Sequence, residues 1–357
     1  MDRILLKNIT NTFSKELVGW YFKNKRELPW RETTDSYKIW LSEIILQQTQ
    51  IKQGLPYYLR FVNNYPNVKA LASASENEIL KMWEGLGYYS RARNLHKTAK
   101  IVTKDFNEIF PITYLDLIKL PGIGDYSASA ISSFSNNEVV SVVDGNVYRF
   151  ISRLLGIDTP INTSKSLKEF KEVTMKLISK DNPSDFNQAI MEFGAMVCKP
   201  AIPFCNDCIF RYKCYAYKNN MVFNFPFKKK NKKSINRFFN YLVFLSEKNK
   251  TIIEKRENKG IWQNLYQFPL LETDKLADLN EIINHVESLE NLTGQSEGIE
   301  LFENKNLVHK LSHQNISISF WIVSVKTIKA NSISLKKASS YPFPKPLSNF
   351  LSIFKLQ

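Results

Sequence analysis

The sequence predicts two domains, a mainly α-helical one to about residue 220 and a smaller α+β one from about residue 237. Three observations carry that expectation. Apolar residues recur at helical spacing through the first two-thirds of the chain, and β-branched, strand-like runs take over after it. The textures meet at the basic run Lys228-Lys229-Lys230-Asn231-Lys232-Lys233. The expected boundaries are 1–220 for the helical domain, 221–236 for a basic linker and 237–357 for the α+β domain.

The helical part is clearest at Tyr37, Trp40, Leu41, Ile44 and Ile45, which fall at i, i+3, i+4, i+7 and i+8. Comparable stripes run through 11–24, 53–64, 89–104, 126–134, 146–155, 166–179 and 184–197, separated by turns of Gly, Pro, Asn or Asp. Beyond the lysines, Phe239–Ser246, Thr251–Lys255 and Ile316–Val325 read as strands, and Asp278–Leu289 as a helix. The lysine run itself reads as a solvated linker as readily as a DNA contact.

Composition narrows the class. A chain with 43% hydrophobic and 13% aromatic residues is globular, and no apolar run reaches the length of a membrane span. The net charge of +15 suits a polyanionic partner. Residues 1–236 carry 34 Lys and Arg against 22 Asp and Glu, residues 237–357 only 15 against 12, so the excess lies mainly in the helical part.

All four cysteines fall within seventeen positions, Cys198, Cys205, Cys208 and Cys214, spaced C-x6-C-x2-C-x5-C. The start MDRILLKNIT lacks the shape of a secretory signal, so four thiols with none left over read as one metal site rather than two disulfides. Spacing alone leaves zinc and an iron–sulfur cluster both open.

In Leu120-Pro121-Gly122-Ile123-Gly124-Asp125-Tyr126, proline stops one helix. Gly122 and Gly124 are expected to take backbone angles closed to other residues, and a new helix opens with its amide donors outward. Such a helix start binds phosphate through N–H groups and dipole, holding a DNA backbone without reading sequence. Downstream, Asp144 is placed to cap the helix that follows, where a carboxylate is expected to ionise at low pH. Glu43 lies beside Trp40 and Ile44 on the helical wheel, where partial desolvation raises a carboxyl pKa. A proton-holding Glu and an ionised Asp are the pair expected for breaking a glycosidic bond.

These residues resemble the helix-hairpin-helix DNA glycosylases of the iron–sulfur branch, and more narrowly the MutY family of adenine DNA glycosylases. The resemblance runs through Leu28-Pro29-Trp30-Arg31, Trp40–Gln50, Gly85–Arg93, the hairpin, Asp144-Gly145-Asn146-Val147, Phe186-Asn187-Gln188-Ala189 and the cysteines, most of residues 25–215. It implies a [4Fe-4S] cluster on the four cysteines. It implies a substrate of double-stranded DNA with adenine opposite 8-oxoguanine or guanine, and removal of the flipped adenine in base excision repair. By similarity Glu43 protonates adenine N7, Asp144 stabilises the sugar cation, and Tyr126 and Asn146 position the sugar and Asp144. Trp30, Arg31, Leu46 and Gln188 match the adenine pocket. Gln48, Thr49 and Tyr88 match residues that fill the gap and touch the orphaned base. The resemblance further implies a monomer in the bacterial cytoplasm, associated with the nucleoid and with no membrane role.

Endonuclease III-like enzymes, which act on oxidised pyrimidines, are the main rival. They carry a lysine two residues after the second hairpin glycine, and Tyr126 stands there, so a glycosylase without efficient strand cleavage is expected. Gly260–Pro269 resembles the opening of the MutY Nudix-like domain. Asp278–Leu289 lacks the Arg-Glu-x-x-Glu-Glu pattern of a Nudix hydrolase, which implies a recognition module. Leu311-Ser312-His313 matches the family's lesion-reading Phe-Ser-His loop, with leucine in the aromatic place and Ser312 and His313 retained. A non-catalytic scaffold is disfavoured because Glu43 and Asp144 are both present.

Overall fold

The computed structural model describes residues 3–229 and 234–354, with the side chains of these residues other than 3–11 and 304. Most of the lysine run, from 230 to 233, lies outside the described residues. The chain forms two compact units, one of residues 1–73 and 94–230, the other of residues 74–93 and 231–357.

The first unit is helical throughout. Its main helices are Arg3–Asn24, Ser36–Leu46, Ile51–Asn64, Asp125–Asn136, Gly145–Leu155, Ser164–Leu177 and Pro183–Met196. Each stripe read from the sequence lies within or close to one of them, except 89–104, which forms the helix Ser90–Asp105. Asp35 starts Ser36–Leu46 by accepting N–H bonds from Tyr37 and Lys38. Thr163 caps Ser164–Leu177 in the same way. Helix Pro183–Met196 packs against Gly145–Leu155 and Arg3–Asn24, and Ser36–Leu46 packs against Asp125–Asn136. The core between the first three is aromatic, with Phe13, Phe150, Phe186, Phe193 and Phe210 all buried and the Phe150 and Phe193 centroids 4.7 Å apart.

The hairpin before Asp125–Asn136 uses its two glycines differently. Gly122 has φ +77°, and a Cβ there would stand 2.7 Å from Asn94 Cβ, so backbone and space both demand glycine. Gly124 has φ −90° and ψ −178°, ordinary extended backbone, with nothing within 4 Å of an added Cβ. The expectation that both glycines need special angles therefore holds only for Gly122; at Gly124 the absence of a side chain leaves open space.

The second unit is built on a five-stranded mixed sheet. Its two long strands, Ile235–Ser246 and Gln314–Val325, run parallel in full register and are buried over most of their length, as strands covered on both faces must be. Leu270–Thr273 flanks the first, while Ser296–Leu301 and Leu307–Lys310 flank the second, all antiparallel. Helix Leu279–Ser288 covers one face with Ile282 and Val286 against Leu242, Phe244, Trp321 and Val323. Residues 74–93, placed in the helical domain by sequence, pack here. Asn264 Nδ2 donates to Glu76 Oε1 at 2.7 Å, Arg93 Nη1 to Gln263 O at 2.8 Å, and Tyr89 Oη to Phe343 O at 3.4 Å. The Thr251–Lys255 run forms two two-residue strands rather than one, Lys250–Thr251 and Glu254–Lys255.

Candidate active site

A cavity of about 560 Å³ opens in the helical unit. Trp30, Arg31, Glu43, Leu46, Gln48, Thr49, Tyr126, Asp144, Asn146 and Gln188 all line it, so most of the site expected from sequence converges on one place. The side chains arrive from several elements. Pro29–Arg31 is a single 3-10 turn, Ser36–Leu46 brings Glu43 and Leu46, and the second residue of Asp125–Asn136 is Tyr126. Gln48 follows the end of Ser36–Leu46 with φ +55°, a left-handed backbone that turns the chain along the cavity wall.

Glu43 is 7% exposed. Burial, with the neighbouring Asp144 charge adding to it, pushes its carboxyl up to about 7, against the lowering effects of the Tyr126 hydroxyl that donates to it and of Arg31. Tyr126 is held neutral, its own pKa raised far above the ordinary value by burial and by the two carboxylates.

Asp144 caps Gly145–Leu155. Its Oδ1 accepts from Asn146 N at 2.8 Å and Val147 N at 2.7 Å, and its Oδ2 from Asn146 Nδ2 at 2.7 Å. The expected cap is present, but the expected low pKa is not. Burial raises the Asp144 pKa more than these hydrogen bonds lower it. A sequence shows a cap but not how deep in the protein it sits. Its three donors favour the Asp144 anion against that burial, and the Tyr126 hydroxyl does the same for Glu43.

The segment leading to Asp144 is fixed by Asn187, whose side chain donates to Val140 O at 2.8 Å and accepts from Val142 N at 3.2 Å. Beyond Asp144, Arg149 donates to Asn146 Oδ1 at 2.8 Å and to Cys198 O at 2.7 Å, tying the cap to the cysteine segment. Gly194 lies against the same turn. A Cβ on it would be 2.7 Å from Asn146 O.

Gln188 is oriented by Tyr21 Oη, which donates to its Oε1 at 3.1 Å, and by Ser184 Oγ, which accepts from its Nε2 at 3.2 Å. One turn further along the same face stands Glu192, which sequence reading missed. It is 1% exposed and binds Arg26 and Arg31 at 2.6 and 2.7 Å. Burial by itself would raise its carboxyl, but the hydrogen bonds from the two arginines hold it at about 2. Its position four residues after Gln188 was the available signal, since i and i+4 share a helix face.

The four cysteines are free thiols that line a second cavity together with Arg153, Phe150 and Phe210. Burial pushes Cys208 up to about 12 and Cys214 up to about 11, opposed by backbone N–H groups of Phe210 and of Tyr217 and Ala216. Arg153, 3% exposed, lies 3.4 Å from Cys198 Sγ and donates to Lys199 O at 2.7 Å. No group of three or more His, Cys, Asp or Glu among the described residues is set closely enough to hold a metal ion.

Tyr88, Ser312 and His313 belong to the other unit. Tyr88, half-exposed at φ +46°, shares a hydrogen bond between its hydroxyl and Ser312 Oγ. Ser312 and His313 are exposed at the turn between Leu307–Lys310 and Gln314–Val325. In helix Leu279–Ser288, Asp278 and Glu281 are engaged in a capping box. No helix of the described residues is long and apolar enough to cross a membrane.

The fold and cavity define a base-excision DNA glycosylase followed by a Nudix-type domain. Residues 41–176 match the HhH-GPD superfamily of base excision DNA repair proteins, and residues 240–352 match the NUDIX domain. The helical part is similar to a thermostable thymine-DNA glycosylase, with 27% identity and a TM-score of 0.56 over 60% of this chain and 98% of that one. An adenine DNA glycosylase of Buchnera aphidicola subsp. Schizaphis graminum is 37% identical over 96% of this chain and 99% of its own. That of Buchnera aphidicola subsp. Baizongia pistaciae is 37% identical over 88% and 87%. The chain belongs to the adenine DNA glycosylase family.

Proposed function

We propose that this protein removes adenine from duplex DNA in which it is mispaired with 8-oxoguanine or guanine, hydrolysing the N-glycosidic bond after the base is flipped into the cavity. The observation that carries the reading is the buried pair of Glu43, with a pKa of about 7, and Asp144, capped by three donors. Protonated Glu43 gives its proton to adenine N7. The C1′–N9 bond then breaks with its electron pair leaving on the base, and the Asp144 carboxylate faces the sugar cation. Water adds to C1′, and its proton returns to Glu43. Tyr126 and Asn146 keep the two carboxylates in place, while Trp30, Arg31, Leu46 and Gln188 supply apolar and polar walls for the adenine. A base must leave the stack to reach such a cavity.

The hairpin at Gly122 and Gly124 holds backbone phosphate, Gln48 and Thr49 meet the duplex at the cavity mouth, and Tyr88, Ser312 and His313 read the base opposite adenine. The cysteine cavity suits a [4Fe-4S] cluster rather than a single ion, since its four thiols form no disulfide and share one pocket without converging on one point, each thiolate of such a cluster binds a different iron, and N–H and guanidinium donors stabilise thiolates. The cluster, when bound, cross-links the 198–214 segment. Incubation of the full-length protein with duplexes containing adenine opposite 8-oxoguanine, adenine opposite guanine, or thymine glycol tests the reading. Excision from the first two, leaving an abasic site that breaks only after alkali, is expected. Action on thymine glycol alone would favour the endonuclease III-like alternative.

A further inference from the structure

The two oxygens of Glu192 accept five hydrogen bonds. Arg26 supplies its backbone N–H at 3.0 Å, Nε at 2.8 Å and Nη2 at 2.6 Å, and Arg31 supplies Nη1 at 3.0 Å and Nη2 at 2.7 Å. Both guanidinium groups grip the carboxylate with two nitrogens, the geometry that fixes orientation as well as charge. Arg31 is further held by Arg26 O at 3.1 Å and stands over the Tyr21 ring at 5.6 Å. Arg26, Arg31 and Glu192 all line the cavity that contains Glu43. An arginine beside an acid that must keep its proton is a problem, because its positive charge favours the ionised acid.

We propose that Glu192 is a positioning residue of the excision site, a buried carboxylate that fixes Arg31 in the cavity wall and offsets its charge beside Glu43. The inference rests on Glu43 being the proton donor. The charged and titratable groups acting on Glu43 are Arg31 from the Pro29–Arg31 turn, Tyr126 from helix Asp125–Asn136 and Asp144 at the cap of Gly145–Leu155. Those facing Glu192 are Arg26 and Arg31, with Tyr21 from helix Arg3–Asn24 beside them and Asp185 and Glu32 acting on Tyr21. Removing the Glu192 charge leaves Arg31 uncompensated, so Glu43 loses its proton at lower pH. Excision needs protonated Glu43, and the alkaline fall of the rate then moves to lower pH.

Single-turnover excision by the full-length protein, measured from about pH 5 to about pH 9 on a duplex with adenine opposite 8-oxoguanine, tests this. Glu192→Gln keeps the size and one acceptor oxygen but removes the charge and turns the other oxygen into a donor. Its alkaline limb is expected to move down by on the order of one pH unit, about a tenfold loss of rate on the alkaline side. Glu192→Asp should restore part of the shift. Arg26→Met frees the carboxylate to serve Arg31 alone, and a smaller move in the opposite direction is expected. A limb that stays in place, or a rate lowered equally at every pH by Glu192→Gln, would overturn the proposal. If Glu192→Gln fails to fold, judged by thermal melting, the direction of the Arg26→Met shift decides, and a limb unmoved or moved downward counts against it. Should Glu43→Gln retain the wild-type limb, the acid role of Glu43 is wrong and the inference falls with it. That failure is recognised separately, because it shows without any change at Glu192.

Discussion

In the helical unit, Glu43 and Glu192 are 7% and 1% exposed, each with named partners. In the mixed-sheet unit, Ser312 and His313 stand exposed on a two-strand turn. Chemistry and reading ask different things of a polar group. A proton donor for adenine must keep its proton near neutral pH, which requires burial, and buried charge is tolerated only when compensated. A group that reads a base needs only to reach it, and exposure is then no penalty. Substitutions in the cavity are therefore expected to act on excision, and substitutions at the turn on discrimination.

The largest effect expected is from Glu43→Gln. The variant should bind the mispair yet lose excision by at least about 10²–10⁴-fold, because an amide cannot donate the proton. For the wild type, the rate should fall as pH rises through about 7, where Glu43 ionises, and quench-flow or gel assays across pH read this directly. Asp144→Asn comes next, with a loss of about 10²–10³-fold in single-turnover assays. Near-normal excision by either variant would remove the distinction between a chemical and a reading unit.

Cys205→Ser should lower iron and sulfide content and thermal stability together, because a site closed by protein ligands couples metal to folding. Elemental analysis beside a melting curve separates that from loss of chemistry. A smaller gain is expected of Tyr126→Lys. A lysine at that position can form a Schiff base, so the variant should become trappable on DNA by borohydride, and efficient trapping of the wild type would contradict the assignment.

The smallest effect belongs to the turn. Ser312→Ala with His313→Ala should leave the rate on adenine opposite guanine nearly unchanged. It should reduce the preference for 8-oxoguanine by about ten- to a hundredfold, the scale of a few lost hydrogen bonds, with both duplexes compared at one salt concentration. Point variants serve here better than a fragment ending near residue 220. Glu76, Tyr89 and Arg93 make their contacts with Asn264, Phe343 and Gln263, which such a fragment lacks.

Glu43 and Asp144 were legible because they sit in local patterns, while Trp30, Arg31, Leu46 and Gln188 were reached only through the family resemblance. The Tyr37–Ile45 stripe placed Glu43 on a helix flank, and Asp144-Gly145-Asn146 announced a cap. What escaped depends on distance along the chain. Glu192 meets Arg26 and Arg31 across more than 160 residues, and no local pattern pairs them. The placement of 74–93 escaped for the same reason, since its helix, its Ser75–Glu78 capping box and its glycines look alike in either unit. Depth also left no trace, and this is why Asp144 reads as a low-pKa cap from sequence while burial raises it. The short strands Leu270–Thr273, Ser296–Leu301 and Leu307–Lys310 are edge pieces whose mixed burial gives little alternation to detect.

Gly194 carries a consequence of another kind. It touches no substrate in the proposed reaction, yet its bare backbone is what lets helix Pro183–Met196 come down onto the turn that holds Asn146 and Asp144. One added methyl would act as a wedge, prising the cap from its seat while every acid, amide and thiol of the sequence was retained. Inheritance of this activity thus depends on a hydrogen atom where any other residue has carbon, and a lineage could fall silent there with its whole chemical signature intact.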